Sequence, residues 1–269
     1  METRKQEEIE FHDRLRNGQF EQRWSLDAEA RVEGDPLWSN FKYYAIEGQS
    51  LDLVKRWLVE RCQGTVVLDY CCGNGDDSLF VAKSGARRVV GIDLSAVSIE
   101  NCRIRARSEG LEDRVEFRVM DAEALDFPDN SFDMAMEYGV LHHLELETAM
   151  CELARVLKPE GAMICTETLT HNPFIRMYRS RTPHLRTAWE TEHIIGRRSF
   201  EIIGRHFGRI EMRFFHLATL AAVPLRSTWL FPIVLPALRA VDRVLLALPG
   251  LRWQAWQVVF RLSEPKKRE

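Results

Sequence analysis

The sequence has no apolar run long enough to cross a membrane. Its longest charge-free pieces within the most apolar region, such as Ser227–Leu238, run about a dozen residues and contain Pro232 and Pro236. A bilayer span needs roughly 20. Charge of one sign is not in excess either: 37 Lys and Arg stand against 40 Asp and Glu, a net −3 over 269 residues, which leaves no footprint for nucleic-acid binding. The six cysteines, Cys62, Cys71, Cys72, Cys102, Cys151 and Cys165, lack zinc-type spacing, so no metal site is expected. They read as small packing residues of a reducing cytoplasm. The charged start, Met1–Glu8, is followed by no apolar core, so no secretory leader is expected. What remains, 45% hydrophobic and 29% charged, is the composition of a globular chain with one principal domain and additions.

The chain is organised around residues 66–80. Apolar β-formers Val66-Val67-Leu68 lead into Asp69-Tyr70-Cys71-Cys72-Gly73-Asn74-Gly75, and two acids, Asp76 and Asp77, precede Ser78-Leu79-Phe80. This spells strand, tight turn and helix start, the opening unit of a nucleotide-binding α/β sheet. Asp93 follows Gly73 by 20 residues, at the end of a second strand, Arg88–Ile92, where a ribose-binding carboxylate belongs. The third glycine of a dinucleotide fingerprint is absent, and Ser78 stands there. Acids in the first helical turn suit the helix dipole and oppose a phosphate. A ligand with a ribose, positive charge and no phosphate fits better, and S-adenosyl-L-methionine (SAM) is such a ligand.

The run Asp69–Gly75 resembles the D-x-G-C-G-x-G signature of class I SAM-dependent methyltransferases, among them the small-molecule enzymes of quinone biosynthesis. Further matches follow in family order: Gly91–Ser95, Met120–Glu123, Phe132-Asp133 through Gly139–Leu144, and Arg155–Gly161. Cys71 departs from the signature, sitting at the family's first glycine. A cysteine adopts positive φ only at a cost, so the turn is expected to stay in the β or bridge region there.

The resemblance implies a doubly wound, mostly parallel seven-stranded α/β sheet ending in an antiparallel pair. It also implies cofactor roles. Asp93 and Leu94 close on the ribose side, and Asp121 with Ala122 holds adenine. Gly73, Asn74 and Gly75 line the methionine moiety, Asp69 supports the turn, and Glu137 and Tyr138 lie beside the sulfonium. The catalytic candidates are His142, His143 and Tyr138; the histidines are candidates for a general base, with buttressing of the strand-to-helix turn as the alternative for either.

Outside 66–166 the reading is coarser. Residues 1–24 are charge-dense with sparse apolar marks, Ile9, Phe11, Leu15 and Phe20, and suit a surface helix. The aromatic stretch 35–46 offers Tyr43 and Tyr44 as lid residues, or as pins of an N-terminal arm. Residues 51–59 show helical spacing with Ser50 as N-cap. After the fifth strand, Arg176, Arg179, Arg181, His184 and Arg186 crowd a loop with Pro183; a solvated basic face is the default and a seat for an anionic substrate group the sharper reading. The last strand is expected near Gln254–Leu262.

Before that strand lies an apolar, helical insertion, Leu217–Leu251, with Trp229, Arg226, Arg239, Asp242 and Arg243. It reads as a substrate cover, a homodimer interface, or a surface that touches a membrane peripherally. The expected layout is a cap over 1–62, a core over 63–216, the insertion over 217–253 and the last strand with a basic tail over 254–269. The activity expected is methyl transfer to a small hydrophobic metabolite at oxygen, nitrogen or carbon. The alternative is a non-catalytic SAM-binding or membrane-associated module.

Overall fold

The structure is a computed structural model that describes residues 2–16 and 42–267. Seven strands form one mixed sheet in the order β3-β2-β1-β4-β5-β7-β6. They are β1 Val66–Tyr70, β2 Arg88–Asp93, β3 Val115–Val119, β4 Phe132–Tyr138, β5 Leu157–Thr168, β6 Phe207–Phe215 and β7 Gln257–Pro265. Strands β1 to β5 run parallel, and β7 lies antiparallel between β5 and β6. The expected doubly wound sheet with its closing antiparallel pair is what the chain forms. Central strands read as near-continuous apolar runs because helices cover both faces.

Helices α1 Thr3–Arg16, α2 Gly48–Cys62, α3 Asp76–Lys83, α4 Ala96–Ser108 and α5 Leu146–Val156 precede or link the parallel strands. Between β5 and β6 come α6 Pro173–Arg181, α7 Ala188–His193 and α8 Arg197–His206. One face of the sheet packs Val54, Trp57, Leu79 and Ile99 from α2, α3 and α4. The other packs Met150 and Leu153 of α5 with Phe200 and Ile203 of α8. The caps are local: Ser95 Oγ accepts from Ser98 N at 3.0 Å at the start of α4, and Asn172 caps α6 with Pro173 at its first position, both favoured N-terminal arrangements.

Several expectations need correcting. Ser50 lies inside α2; its hydroxyl donates to the Glu47 carbonyl at 2.9 Å and meets His216 Nε2 at 3.1 Å. The final strand begins at Gln257. The matched run Arg155–Gly161 passes from the end of α5 into β5, whose register to β4 jumps between Phe132↔Leu157 and Met134↔Ala162. The basic segment after β5 is folded into α6 and a 3₁₀ turn, Pro183–Leu185. Helix α1 accords with the expected N-terminal surface helix, whereas Phe20, Pro36, Leu37, Trp38 and Phe41 lie outside the described residues.

The insertion folds as a 3₁₀ helix, Ala218–Leu225, then α9 Phe231–Leu245 and a 3₁₀ turn, Leu251–Gln254. Asp242, a punctuating charge in the sequence, is buried. Its carboxylate accepts from the amides of Leu217, Ala218 and Thr219 and from the Thr219 hydroxyl at 2.7 Å. It thereby satisfies the open N–H groups at the start of the first 3₁₀ helix. The inner face of the insertion builds a third apolar cluster of Ala222, Val223 and Leu235 with Ile46, Ile175 and Trp256. Its outer face is apolar and bare: Trp229 is 76% exposed, Ile233 62% and Val244 67%. Among the described residues no helix is long and apolar enough to cross a membrane.

Candidate active site

The turn after β1 is the tightest part of the site. Cys71, Gly73 and Gly75 all take positive φ, 58°, 54° and 76°, so the expectation for Cys71 is overturned. The surroundings over-determine the turn: Cys72 N donates to Ile92 O at 2.8 Å, Gly73 N to Asp93 Oδ2 at 3.0 Å, and Gly75 N to Cys72 O at 2.8 Å. A Cβ at Gly75 would come within 3.0 Å of Cys102 Sγ and 3.1 Å of the Phe117 ring, so this glycine answers both a left-handed backbone and a lack of room. Cys71→Gly should remove a left-handed penalty of about 1–2 kcal/mol, of which glycine's extra chain entropy returns roughly half. A rise of about 2 °C in the melting temperature is expected, with affinity for S-adenosylhomocysteine (SAH) changed by no more than a few-fold. Calorimetry checks both, and lost SAH binding would give the thiol a role in the ligand site.

Asp69 is buried and accepts from Ser78 N at 3.0 Å and Ser78 Oγ at 2.7 Å. The serine in the third-glycine position thus ties α3 to β1. Arg105 pairs with Asp76 at 2.8 Å and donates to Asn74 O, so Asp76 opposes a phosphate less than the sequence suggests. Asn74 Oδ1 is buried without a hydrogen-bond partner, an acceptor open to a cationic donor. At the end of β2, Asp93 accepts from Gly73 N and, through Oδ1, from Ser95 N at 2.9 Å; Leu94 beside it is half-buried. Past β3, Asp121 Oδ1 accepts from Glu123 N at 2.9 Å, and the Ala122 carbonyl accepts from Tyr70 Oη at 2.6 Å. These residues gather at the carboxyl ends of β1, β2 and β3, where open α/β sheets bind ligands.

Helix α1 closes over this row, a contact the sequence did not disclose. Lys5 Nζ reaches Asp121 Oδ2 at 2.7 Å and Glu123 at 2.8 Å, Arg4 reaches Glu123 at 2.7 Å, and Asp13 accepts from Ser95 Oγ. Glu8, one turn on, meets His143 Nδ1 at 3.0 Å and accepts from Thr187 Oγ1 at 2.5 Å. Spacing by four along α1 puts Arg4, Glu8 and His12 on one face.

Burial opposes a charged Glu8, but the neighbouring imidazoles of His12 and His143, at 3.6 and 3.0 Å, outweigh it and hold its pKa below the ordinary 4.5. Burial likewise opposes a charged His143, yet Glu8 and Glu190 raise it above 6.5. The depressed Glu8 stabilises the docked helix above its unfolded value and loses this as pH falls through its folded one. The raised His143 stabilises fully below 6.5, and the contribution vanishes as pH climbs through the raised value. Docking of α1 is therefore strongest between these limits. Hydrogen exchange of amides 3–16, corrected for intrinsic rates, should accelerate as pH rises past the ordinary histidine range. His143→Gln should abolish that dependence.

The second half of the site surrounds a cavity of about 210 Å³ beyond β4 and β5. Tyr43, Tyr178 and Trp256 wall it, with ring centroids 5.3 Å apart for Tyr43–Tyr178 and for Tyr43–Trp256. His142 opens into it, buried, with Nδ1 2.6 Å from Glu167 Oε2 and Nε2 4.0 Å from Glu190. Glu167 is fully buried, and its other oxygen accepts from Leu141 N at 2.5 Å. Tyr138 also lines the cavity and donates to Glu47 at 2.7 Å, which accepts from Gln257 at 3.0 Å.

Two predicted residues stand apart from this cavity. His143 turns to Glu8 on α1. Glu137 is buried with Val140 N and Thr166 N on its two oxygens, each at 3.0 Å, and burial together with Glu167 pushes its pKa well up. Glu8, His12 and His143, and likewise His142, His143 and Glu190, hold ligand atoms within 4.8 Å of one another. Within the first group Glu8 lies 3.0 Å from His143 Nδ1 and 3.6 Å from His12 Nε2. Glu167, Glu190, Glu47 and Gln257 were missed by the sequence reading. The one signal for Glu167 was an acid at the end of the apolar fifth strand.

Comparison with known proteins places the same core. Residues 67–161 match the family described as a methyltransferase domain. Over 102 residues the chain is 41% identical to methyltransferase GfsG of Streptomyces halstedii, covering 37% of this chain and 36% of that protein. It is 31% identical over 140 residues to 27-O-demethylrifamycin SV methyltransferase of Amycolatopsis mediterranei, 48% of this chain and 52% of that one. With demethylmenaquinone methyltransferase of Lactiplantibacillus plantarum it shares 35% over 105 residues, 38% and 44% of the two chains. The match thus spans between about a third and about half of these relatives' lengths. Among solved structures, the geranyl diphosphate C-methyltransferase of Streptomyces coelicolor superposes with a TM-score of 0.62 at 17% identity, over 98% of this chain and 100% of that one. The [4+2]-cyclase SpnF does so at 0.54 and 23%, over 81% and 82%. The resemblance to class I SAM-dependent methyltransferases holds in sequence over the core and in fold over the whole sheet.

Proposed function

We propose that this chain is a SAM-dependent methyltransferase acting on a small, largely apolar acceptor, with His142 as general base. The observation that carries the proposal is the His142–Glu167 pair, opening into an aromatic cavity next to the strand-end row of Gly73, Asp93 and Asp121. The residues present fit the cofactor: Asn74 Oδ1 is a buried acceptor suited to an ammonium, Gly75 leaves no space for a side chain, and Asp93 stands at a ribose position. Asp121 and Ala122 serve adenine and Leu94 the ribose side. Asp69 and Glu137 hold the two turns, each with backbone N–H groups on its carboxylate. SAM, when bound, supplies a methyl group on a sulfonium already activated for departure.

The protein's part is to align the acceptor, exclude water and take one proton. Glu167 accepts from Nδ1–H and so leaves the Nε2 lone pair directed to the acceptor. After transfer, the imidazolium lies between Glu167 and Glu190. A base in this position favours an acceptor whose attacking oxygen, nitrogen or acidic carbon carries a proton. Val223 and Leu235 of the insertion pack behind Ile175 and Trp256, which line the cavity, and this apolar wall favours a hydrophobic substrate. Titration calorimetry with SAH and with NAD tests the cofactor assignment; NAD binding without SAH binding would reject it.

A second reading, a SAM-binding module that touches membranes, draws on the bare outer face of α9. Absence of flotation with anionic liposomes at low salt would remove it.

A further inference from the structure

We infer that the acceptor carries an anionic oxygen group, a carboxylate or a phosphate, seated on Arg179. This names the substrate class of the cavity just described and rests on the methyl-transfer reading only for the word acceptor. Arg179 lies in the last turn of α6, where its neighbours Arg176 and Arg181 point to solvent. Its own guanidinium lines the cavity instead. Nη2 donates to Thr168 Oγ1 at 2.8 Å, and Nη1 is buried with no hydrogen-bond partner. No carboxylate among the described residues lies within ion-pair distance of it.

The acids of the cavity are engaged elsewhere. Glu167 holds His142 and Leu141 N; Glu190 pairs with Arg186 at 3.6 Å; Glu47 holds Tyr138 and Gln257. Arg186, the other arginine of the cavity, caps α6, with Nη1 donating to the carbonyls of Arg179 at 3.1 Å and Thr182 at 2.6 Å. Arg186 keeps an unbonded Nε but has the Glu190 carboxylate as counter-charge, whereas Arg179 has spare donors and no ion-pair partner among the described residues. Burial, the dominant influence, lowers its pKa to about 10, the mark of a charge whose water has been removed without a full counter-charge. A buried cation without a partner destabilises a fold unless something pairs with it. A planar guanidinium with free N–H groups is built for the two oxygens of a carboxylate or phosphate. The aromatic walls supply the apolar contact beside it, and Lys42 Nζ lies 4.2 Å over the Tyr178 ring of the same wall.

The test uses the full chain and four probes: benzoate and phenyl phosphate, with benzamide and benzyl alcohol as neutral counterparts. Melting temperature and calorimetry are read with and without SAH. The expected result is that at least one anionic probe stabilises the protein and binds about tenfold or more tightly than its neutral counterpart. Which of the two does so distinguishes carboxylate from phosphate. Arg179→Gln should erase the difference, keep SAH affinity within about threefold, and melt no lower than the parent, because glutamine needs no counter-ion. Arg179→Lys should retain part of the anion preference, since it keeps the charge and loses the fork.

Equal response to charged and neutral probes, no response to any of them, or an undiminished preference in Arg179→Gln would each overturn the inference. So would an Arg179→Gln protein that melts several degrees lower, which would mark the guanidinium as a structural strut. Failure of SAH to bind would count against the methyltransferase reading, while the anion comparison without SAH would still decide this one.

Discussion

Alanine at position 142 is expected to lower methyl transfer by about a hundredfold or more, the range for loss of a positioned general base. SAH affinity should stay within about threefold, because His142 lines the acceptor cavity and is absent from the Gly73–Asp93–Asp121 row. The assay follows labelled methyl from SAM into a cell extract, so that the acceptor need not be known. Glu167→Gln should reproduce much of the loss by a different route. Glu167 accepts from Leu141 N and from His142 Nδ1. A glutamine must turn its NH₂ toward one of these donors, leaving either an unsatisfied amide or a histidine in the wrong tautomer. Unchanged transfer in His142→Ala would reduce this histidine to a buttress. A loss of SAH binding matching the loss of rate would do the same.

Removal of the Asp93 carboxylate is expected to weaken SAH binding by about a hundredfold. Hydrogen bonds to a charged acceptor contribute about 1.5–3 kcal/mol each, and about 1.4 kcal/mol corresponds to a factor of ten. Asp93→Ala would lose the ribose contacts proposed for this carboxylate, and it strands Gly73 N and Ser95 N, which the carboxylate now holds at 3.0 and 2.9 Å. The glycine turn should therefore loosen, with a fall in the melting temperature of the SAH-free protein. Asp93→Asn separates the two effects only in part, since its amide group faces one of those N–H donors. Calorimetry with SAH on the alanine variant is decisive: binding within a few-fold of the parent would remove Asp93 from the cofactor site. The [4+2]-cyclase among the structural neighbours makes such tests necessary, because a fold hosts more than one reaction.

The sequence by itself determined the core from Val66 to Thr166. Strand and helix periods there are local properties of the chain, and the glycine turn, the Ser95 cap and the strand-end acids are spelled within a few residues of where they act. Local spelling misled where neighbours overrule preference. Cys71 is held at φ 58° by bonds from Cys72 and Gly73 to the next strand.

Only the tertiary structure decided which polar groups meet. His142 and Glu167 are 25 residues apart, Lys5 and Asp121 116, and Asp242 staples a segment 23 to 25 residues before it. From the chain alone, Arg179 was one of five basic residues on a presumed solvated face. Which of them turns inward depends on the packing of α6 against β5 and the insertion. The physical reason is common to all of these. Periodicity fixes which face of an element is apolar, whereas the partner of a buried charge is chosen by desolvation, which acts only once distant elements have closed around it.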